Sequence, residues 1–244
     1  MKFSMPVIVA ALIAGPAIAQ PAPNPSTVIH GDAATAKPCE PAAPEKGLDG
    51  ELVYTACQIK AIGGAVPKIL SSPKEPDLTN LYKQGIQGDV LFDLVIGQNG
   101  RIRNASLNKS SRSPELDKIA VDLLNGSTFS SAADHDGKPV AVRATLPMYF
   151  WKDSMTDPKY FKKSCHEFLI DVNWRAEHFP EEKPEEYHGW LLAKGAIVIS
   201  SLRAAGLSGI GQHREFPKTP AYSDVIEACK AKPERPFFDV LTSK

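Results

Sequence analysis

The sequence has no excess of charge of either sign. Its 244 residues contain 28 Lys and Arg against 28 Asp and Glu, so it carries no overall positive charge that could hold a nucleic-acid backbone. Four cysteines and six histidines lie far apart, which excludes a zinc-finger pattern. After the first twenty residues no apolar run is long enough to span a bilayer, since the apolar stretch Gly195–Leu202 has only eight residues. With 43% hydrophobic and 23% charged residues, the composition is typical of a globular protein.

Patterns of catalytic residues are also missing. No glycine-rich phosphate loop follows a predicted strand, and no Gly-x-Ser-x-Gly turn occurs. His135 stands between two aspartates just before Gly137, a pattern typical of a solvated turn. Ser200 and Ser201 lie in an apolar helical stretch, where serines bond back to the main chain. We therefore expect a protein that is not an enzyme, with no cofactor and no metal.

The first nineteen residues are typical of a secretory signal peptide. Lys2 precedes the apolar stretch Val7–Ala14, and Ala17-Ile18-Ala19 is a small-x-small cleavage site. The sequence therefore predicts cleavage after Ala19 and a periplasmic protein without a stable membrane span. The alternative is an uncleaved inner-membrane anchor, which requires about 20 apolar residues and would be interrupted by Pro16.

An oxidising compartment favours disulfides for the four cysteines, of which three pairings are possible. We favour Cys39–Cys57 and Cys165–Cys229, because each pair falls within one block of similar composition. A metal site is the alternative, but its residues match no standard ligand spacing; they would be Cys165, His166, His178 and His188.

Composition divides the chain after the signal peptide into three blocks, of which the first comprises a linker and a short helical segment. Residues 20–48 are rich in proline and alanine and predict an extended linker. Residues 49–84 predict a short helix over about 50–61, followed by loops that lead into a sheet domain. Residues 85–150 predict that sheet domain, and residues 151–244 predict a helical domain.

The sheet domain shows the clearest periodicity. Apolar residues alternate over Asp89–Ile96, and Asn99-Gly100 separates this strand from a second over Arg101–Leu107, which predicts a hairpin with a type I′ turn. A helix of about eleven residues follows Ser113-Pro114, and a long strand covers Val140–Phe150. The predicted fold class is α+β: a three-stranded antiparallel sheet with one packed helix, followed by a small helical domain closed by a disulfide.

The helical domain is predicted to contain three helices. The first begins at Asp157-Pro158 and carries Cys165, the second covers Glu185 to Ala205, and the third begins at Thr219-Pro220 and ends before Pro233. Residues 236–241 suggest a last turn. A disulfide between Cys165 and Cys229 would join the first helix to the third.

Residues 85–150 resemble the TonB C-terminal domain. The resemblance rests on features in a fixed order: Gly88, Asn99-Gly100, Ser110-Ser111, Leu116-Asp117, Phe129, Ala132, the run Gly137-Lys138-Pro139-Val140 and the run Pro147-Met148-Tyr149-Phe150. It implies a periplasmic domain that binds a partner and catalyses nothing. In that family the last strand lies at the edge of the sheet and pairs with a short extended segment of an outer-membrane transporter.

The resemblance places the partner-binding edge on the last strand, with an extended guest segment beside residues 141–146. Selectivity is expected from Arg143 and Thr145, which with Tyr149 form an exposed row, and affinity from the main chain. The expected edge residues are Val140, Ala141, Val142, Arg143, Ala144, Thr145, Leu146 and Tyr149.

Two departures qualify the implied function. The energy-transducing members keep an uncleaved membrane helix and have a longer linker than this chain. We therefore expect this protein to bind a partner in transport or envelope organisation, and the two departures argue against energy transduction. The last block also resembles the acid-stress periplasmic chaperone HdeA, through residues 163–169, Gly189-Trp190 and residues 225–230. That resemblance implies the alternative function, a stress or chaperone-like protein that acts through its helical domain.

Overall fold

The structure is a computed structural model that describes residues 8–9, 43–47, 50–74, 76–205 and 220–242. These fall into two compact units. The first holds the described residues up to Asp77 together with Gly88–Trp151, and the second holds Leu78–Gln87 and the described residues from Lys152 onward. The sequence assigns residues 78–84 to the segment that leads into the sheet domain and residues 85–87 to that domain. In the structure residues 78–87 group with the helices, where the Lys152 N–H donates to Gln87 Oε1 at 3.2 Å. The predicted signal peptide and linker lie almost entirely outside the described residues.

The strands all belong to the first unit. They are β1 (Ile8–Val9), β2 (Glu45–Lys46), β3 (Leu52–Thr55), β4 (Ile69–Ser71), β5 (Gly88–Ile96), β6 (Ile102–Lys109), β7 (Thr128–Phe129), β8 (Ala132–Ala133) and β9 (Pro139–Phe150). The helices are α1 (Ala56–Ala61), α2 (Thr79–Tyr82), α3 (Pro114–Gly126), α4 (Cys165–His178), α5 (His188–Ala205), α6 (Tyr222–Ala231) and α7 (Phe237–Thr242). No helix in these described ranges has both the length and the apolar character required to cross a membrane.

The main sheet is larger than the predicted three strands. The antiparallel strands β9, β5 and β6 are present as expected, with β5 paired to β9 along its whole length. The sheet continues beyond β9, however, in the order β2-β3-β9-β5-β6, and β1 and β8 also pair with β9. Because β3 runs parallel to β9, the sheet is mixed. Strands β4 and β7 form a separate antiparallel pair.

The predicted helix over 50–61 is wrong in its first half. Leu52–Thr55 is a strand, and the helix covers only Ala56–Ala61. The sequence Leu-Val-Tyr-Thr contains two β-branched residues and an aromatic one, which favour strands. Thr55 then caps α1: its hydroxyl accepts the Gln58 N–H at 3.2 Å, and the Gln58 side chain accepts the Thr55 N–H at 2.7 Å. This capping box fixes where the helix begins.

The hairpin between β5 and β6 has a different turn from the predicted type I′. A type I′ turn requires a positive φ at both central residues, but only Gly100 has one here, at 74°, and Asn99 does not. The Gly97 N–H donates to the Arg101 carbonyl and the Gly100 N–H to the Gly97 carbonyl, each at 2.9 Å. This pattern is the three-residue connection in which a left-handed residue follows a type I turn.

Alternation along β5 and β9 gives the sheet one buried face and one open face. Alternate residues of β5 are buried, as the period of the strand predicts. In α3 the predicted face is buried at Leu116, Ala120, Leu123 and Leu124, whereas Ile119 is only half-buried. The core of the first unit includes Val90, Phe92, Leu94, Ile96, Leu116, Ala120, Leu124, Val142, Leu146, Met148 and Phe150. The residues between them on β5 and β9 point to the opposite face, which carries the candidate site.

The second unit is a helical bundle with a disulfide. The first α-helix after Trp151, α4, begins at Cys165 and not at the predicted Asp157, because the Ser164 hydroxyl accepts the Glu167 N–H and the Glu167 carboxylate accepts the Ser164 N–H. Cys165 of α4 is joined to Cys229 of α6. Phe168 stacks on Phe237 of α7 with ring centroids 3.8 Å apart. The disulfide and this stack lie together in the apolar core of the unit.

A buried group of charges lies in the second unit. The Lys163 ammonium donates to one carboxylate oxygen of Asp153 and one of Asp171, and all three side chains are more than nine-tenths buried. Burial raises the pKa of Asp171 although the positive charge of Lys163 opposes it. The second oxygen of Asp171 is buried without a hydrogen-bond partner. Burial therefore favours the protonated form of the Asp171 carboxyl more than an exposed position would.

Candidate partner-binding site on the sheet

A row of polar side chains crosses the open face of the sheet. Ser106 of β6, Asp93 of β5 and Thr145 of β9 lie opposite one another in register. Asn108 Nδ2 donates to Asp93 Oδ2 at 2.5 Å, and Thr145 Oγ1 donates to Asp93 Oδ1 at 2.8 Å. These two hydrogen bonds, with a contribution from the charge of Arg143, lower the pKa of Asp93. The carboxylate is therefore charged, and both of its oxygens are engaged.

A groove lies beside this row. Its volume is about 610 Å³, and its walls come from the start of α1, from β5 and β6, and from the middle of β9. The residues that line it include Thr55, Cys57, Asp93, Asn104, Ser106, Arg143, Ala144 and Thr145. Because β3 ends at Thr55, the groove opens where β9 loses its parallel neighbour.

Strand β9 is not an edge along its whole length, which corrects the expectation from the sequence. Val140 pairs with Ala132 of β8. On the side away from β5, Ala141, Val142 and Arg143 pair with Val53–Thr55 of β3. Met148 and Tyr149 pair with β1, which lies in the predicted signal peptide and would be lost on cleavage after Ala19. Within the described residues no strand pairs with this side of β9 at positions 144–147. The open part of the predicted edge is therefore a short gap next to the groove.

The main chain of Thr145 faces this gap. The Gly97 N–H points to β6, where it donates to Arg101, and the Asp93 carbonyl also faces β6, since it accepts the Ser106 hydroxyl at 3.4 Å. The main-chain groups of successive residues in a strand point to opposite neighbours. Because the main chain of Asp93 faces β6, that of Leu94 faces β9. Its partner on β9 is Ala144, and the next residue, Thr145, points away from β5. Its N–H and carbonyl therefore face outward.

The other long edge of the sheet, the outer side of β6, is blunted. Two register shifts place an extra residue in β6, Arg103 in one case and Asn108 in the other. Arg103 forms an ion pair with Glu51, and Lys109 forms one with Asp89 at 2.7 Å. Bulges and charged side chains are the usual devices that keep an edge strand from pairing with another chain. The gap on β9 is thus the better place for a guest strand.

The structure separates the predicted edge residues into two sets. Of the three side chains expected to form an exposed row, only Arg143 is exposed. Thr145 and Tyr149 are half-buried on the same face, with the buried Pro147 between them. The other five are buried, and a guest strand could reach only their main chain; they are Val140, Ala141, Val142, Ala144 and Leu146. Whether a partner binds this strand stays a prediction.

The segment that sequence reasoning missed is the one that covers part of the predicted edge. Glu45 forms an ion pair with Arg143 at 2.8 Å, and the Gly47 N–H donates to the Glu51 carbonyl at 2.7 Å, so β2 and β3 form a small hairpin beside β9. The β-branched and aromatic residues of 52–55 were the signal that could have revealed β3. Its pairing with β9 had no local signal, because the two strands lie far apart in sequence.

The cysteines leave no thiolate for the alternative metal site. Cys165 is bonded to Cys229, so it cannot be a ligand. Cys57 is disulfide-bonded, and Cys39, its predicted partner, lies outside the described residues. Asp134, His135 and Asp136 do come close enough to share an ion. Asp134 Oδ1 instead accepts the N–H groups of Asp136 and Lys138 at 3.0 and 2.9 Å, which holds the turn that the sequence predicts.

Comparison with known proteins agrees with the resemblance found in the sequence. The family described as Gram-negative bacterial TonB protein C-terminal matches residues 80–151. Residues 80–151 form a TonB C-terminal domain. Two curated proteins named Protein TonB, from Xanthomonas campestris pv. campestris strains B100 and ATCC 33913, are each 32% identical to this chain over 83 residues. The match covers 34% of this chain and 36% of each relative, so the likeness is confined to one domain.

The TonB C-terminal domain accounts for the strands β5, β6 and β9 and for α3. The matched range ends at residue 151, next to the division between the two compact units at Trp151. The hairpin β2–β3 and the helices α4 to α7 lie outside the matched range. What these parts add to the domain has to be argued from their own contacts.

Proposed function

We propose that this protein is a non-catalytic binding protein of the bacterial envelope, in which the TonB C-terminal domain captures an extended segment of a partner. The single observation that carries the proposal is the gap in the pairing of β9 within a domain of this family. An unpaired length of strand offers main-chain donors and acceptors that a guest segment can satisfy. Two proteins named Protein TonB are relatives of this domain, and the resemblance to the TonB C-terminal domain implies a role in transport or envelope organisation.

The guest would enter at positions 144–147 and lie in the groove. Thr145 supplies an outward N–H and carbonyl, whereas Pro147 has no N–H to give. Arg143 is exposed at one end of the gap, where it is ion-paired with Glu45. Affinity would come from the main chain and selectivity from Arg143 and Thr145. The partner class is an extended periplasmic segment, for instance one from an outer-membrane transporter.

Hydrogen exchange tests this proposal directly. The full chain is mixed with synthetic peptides that cover the periplasm-facing N-terminal segments of outer-membrane transporters, and amide exchange is followed by mass spectrometry. Added protection at residues 144–147, extending toward 141, is the expected result. Protection confined to residues after Trp151 would contradict it and would favour the chaperone-like alternative, in which the helical unit binds the partner.

Substitutions at Thr145 separate the role of its main chain from that of its side chain. Thr145→Pro removes the outward N–H and is expected to abolish peptide binding. The matched variant Thr145→Val keeps the N–H and the β-branched shape but loses the hydroxyl that donates to Asp93, so it should still bind. Arg143→Ala should only weaken binding. Equal binding by Thr145→Pro and Thr145→Val would show that β9 does not receive a strand.

A periplasmic location through a cleaved signal peptide belongs to the same proposal. The motivation is the Ala17-Ile18-Ala19 site after an apolar stretch. N-terminal sequencing of protein released by osmotic shock should begin at Gln20. Membrane-bound protein that still begins at Met1 would support the anchored alternative and, with it, an energised role.

A further inference from the structure

Strand β3 occupies the part of β9 that a guest strand would use next. From the gap at 144–147, a guest that extends along β9 toward its start meets residues 141–143, and these already pair with Val53–Thr55. The Glu51 carbonyl faces β2, because it accepts the Gly47 N–H. By alternation the main chain of Tyr54 faces β9, where it takes the place that a guest residue would take.

The contacts that hold β3 on β9 are few. Only three residues of β3 pair with β9, whereas β5 pairs with nine, and parallel pairing is slightly weaker for each residue than antiparallel pairing. Val53 is the one buried apolar side chain of this strand, while Leu52 is 42% exposed. The Glu45–Arg143 ion pair is more than half exposed on both sides and adds little, and the ion pair of Glu51, just before β3, is made to Arg103 of β6 and not to β9. Segments with so few buried contacts are the ones that open locally.

Two features keep the segment close after it opens. Ile59 of α1 is fully buried, which anchors the helix that follows β3. Cys57, in the first turn of that helix, is held in a disulfide. Released from β9, β3 would therefore remain tethered beside the groove and able to return.

We propose that β3 is an autoinhibitory strand: it covers residues 141–143 of β9, and a partner strand binds fully only after β3 has left. This inference rests on the proposed function for its biological meaning, but the opening of β3 is a property of the chain alone. The apparent affinity for the partner is then the intrinsic affinity multiplied by the fraction of molecules in which β3 is open. Weakening β3 raises that fraction and tightens partner binding.

The first experiment uses the chain's own segment as the probe. A synthetic peptide of residues 50–56 is titrated into the full chain and into two aspartate variants. Val53→Asp replaces the buried side chain of β3, and Leu52→Asp places the same charge on the neighbouring exposed position. Val53→Asp should bind the peptide at least about tenfold tighter than the unchanged chain, and Leu52→Asp should bind it as the unchanged chain does. Equal affinity for Val53→Asp and the unchanged chain, or an equal gain for Leu52→Asp, would overturn the proposal.

The second experiment needs no partner and no substitution in β3. In the unchanged chain, the amides of Tyr54 and Arg143 should exchange much faster than those of Leu94 and Ala144, whose main chains face each other between β5 and β9. The double variant Cys39→Ser/Cys57→Ser should speed exchange at Tyr54 and leave Leu94 unchanged. If Tyr54 exchanges only together with Leu94, β3 is a fixed part of the sheet and the proposal fails. A failure of transporter peptides to bind would refute the proposed function while leaving this result intact.

Discussion

The Asp117 carboxylate binds both the main-chain N–H and the hydroxyl of Ser111, at 2.8 and 2.7 Å. It also accepts the Ser110 hydroxyl at 2.5 Å. Ser111 is fully buried, and Arg112, which follows it, has a φ of 63°. The serine pair and the aspartate that mark the TonB C-terminal domain in the sequence therefore fix the turn that leads into α3.

Removing this carboxylate should destabilise the first unit. Asp117→Ala leaves the buried Ser111 N–H without its acceptor and the Ser111 hydroxyl with only the Ser113 carbonyl, at 3.2 Å, which should lower the free energy of unfolding by about 1–3 kcal/mol. Asp122→Ala on the same helix is the control, because its ion pair with Lys118 is exposed and its loss should change stability by no more than about 0.5 kcal/mol. Urea unfolding followed by circular dichroism measures both. Equal losses would mean that the Ser111 contact does not stabilise the fold.

Two glycines with the same backbone conformation should respond differently to alanine. Gly100 and Gly137 have φ of 74° and 78°, but a Cβ on Gly100 would lie 2.2 Å from the Phe129 carbonyl oxygen, whereas one on Gly137 would meet nothing within 4 Å. Gly137→Ala should cost about 1–2 kcal/mol for its left-handed backbone. Gly100→Ala should cost roughly 1–3 kcal/mol more, because the main chain of Phe129 must move. Thermal unfolding of the two variants side by side checks the order.

Acidification should stabilise the second unit through Asp171. The pKa of this carboxyl is raised in the folded chain by burial, so the folded state binds the proton more tightly than the unfolded state does. The free energy of unfolding should therefore rise as the pH falls from neutral through that pKa, and it should fall again as the pH returns. Asp171→Asn should remove this rise and be no less stable at pH 7. Glu227→Gln, at an exposed carboxylate of α6, should keep it; an unchanged pH dependence in Asp171→Asn would refute the assignment.

Of the three charged residues in this buried group, Lys163 should be the one whose replacement lowers stability most. Lys163→Met leaves the carboxylates of Asp153 and Asp171 buried without a cation, which should cost about 3–5 kcal/mol at neutral pH. The loss should shrink at lower pH, because protonation then removes the uncompensated charge. Lys162→Met, at the exposed neighbouring position, should change little. Denaturant unfolding at pH 7 and pH 5 distinguishes the two, and a pH-independent loss would point to packing instead of charge.

The disulfide between α4 and α6 should be essential to the helical unit. Replacing both cysteines, Cys165→Ser/Cys229→Ser, should cost roughly 2–5 kcal/mol, and the helices of the unit are short enough to be marginal alone. The double variant Cys39→Ser/Cys57→Ser, which lies in the other part of the chain, should leave the melting of this unit unchanged. Circular dichroism at 222 nm against temperature reports the helices. A Cys165→Ser/Cys229→Ser variant that melts like the unchanged chain would show that the bridge contributes nothing.

Local periodicity predicted the parts of the fold that depend on local contacts. The alternation in β5 and β9 and the helical spacing after Ser113 gave these elements within a few residues, because burial of one face imposes the period. The pairing of β3 with β9 could not be predicted in this way, since Val53 and Ala141 are far apart in sequence and become neighbours only when the sheet forms. The burial of Lys163 was equally hidden, because lysine and aspartate in a sequence usually mark a solvated surface.

The bond between Cys165 and Cys229 also changes what a break in the chain does. The two cysteines are 64 positions apart, and their disulfide closes the chain between them, which includes α5, into a covalent ring. A protease that cuts once anywhere between α5 and α6 opens this ring but releases no fragment. The nicked protein would migrate as one species on a non-reducing gel and as two on a reducing gel, so damage in this part of the chain stays invisible until the disulfide is reduced.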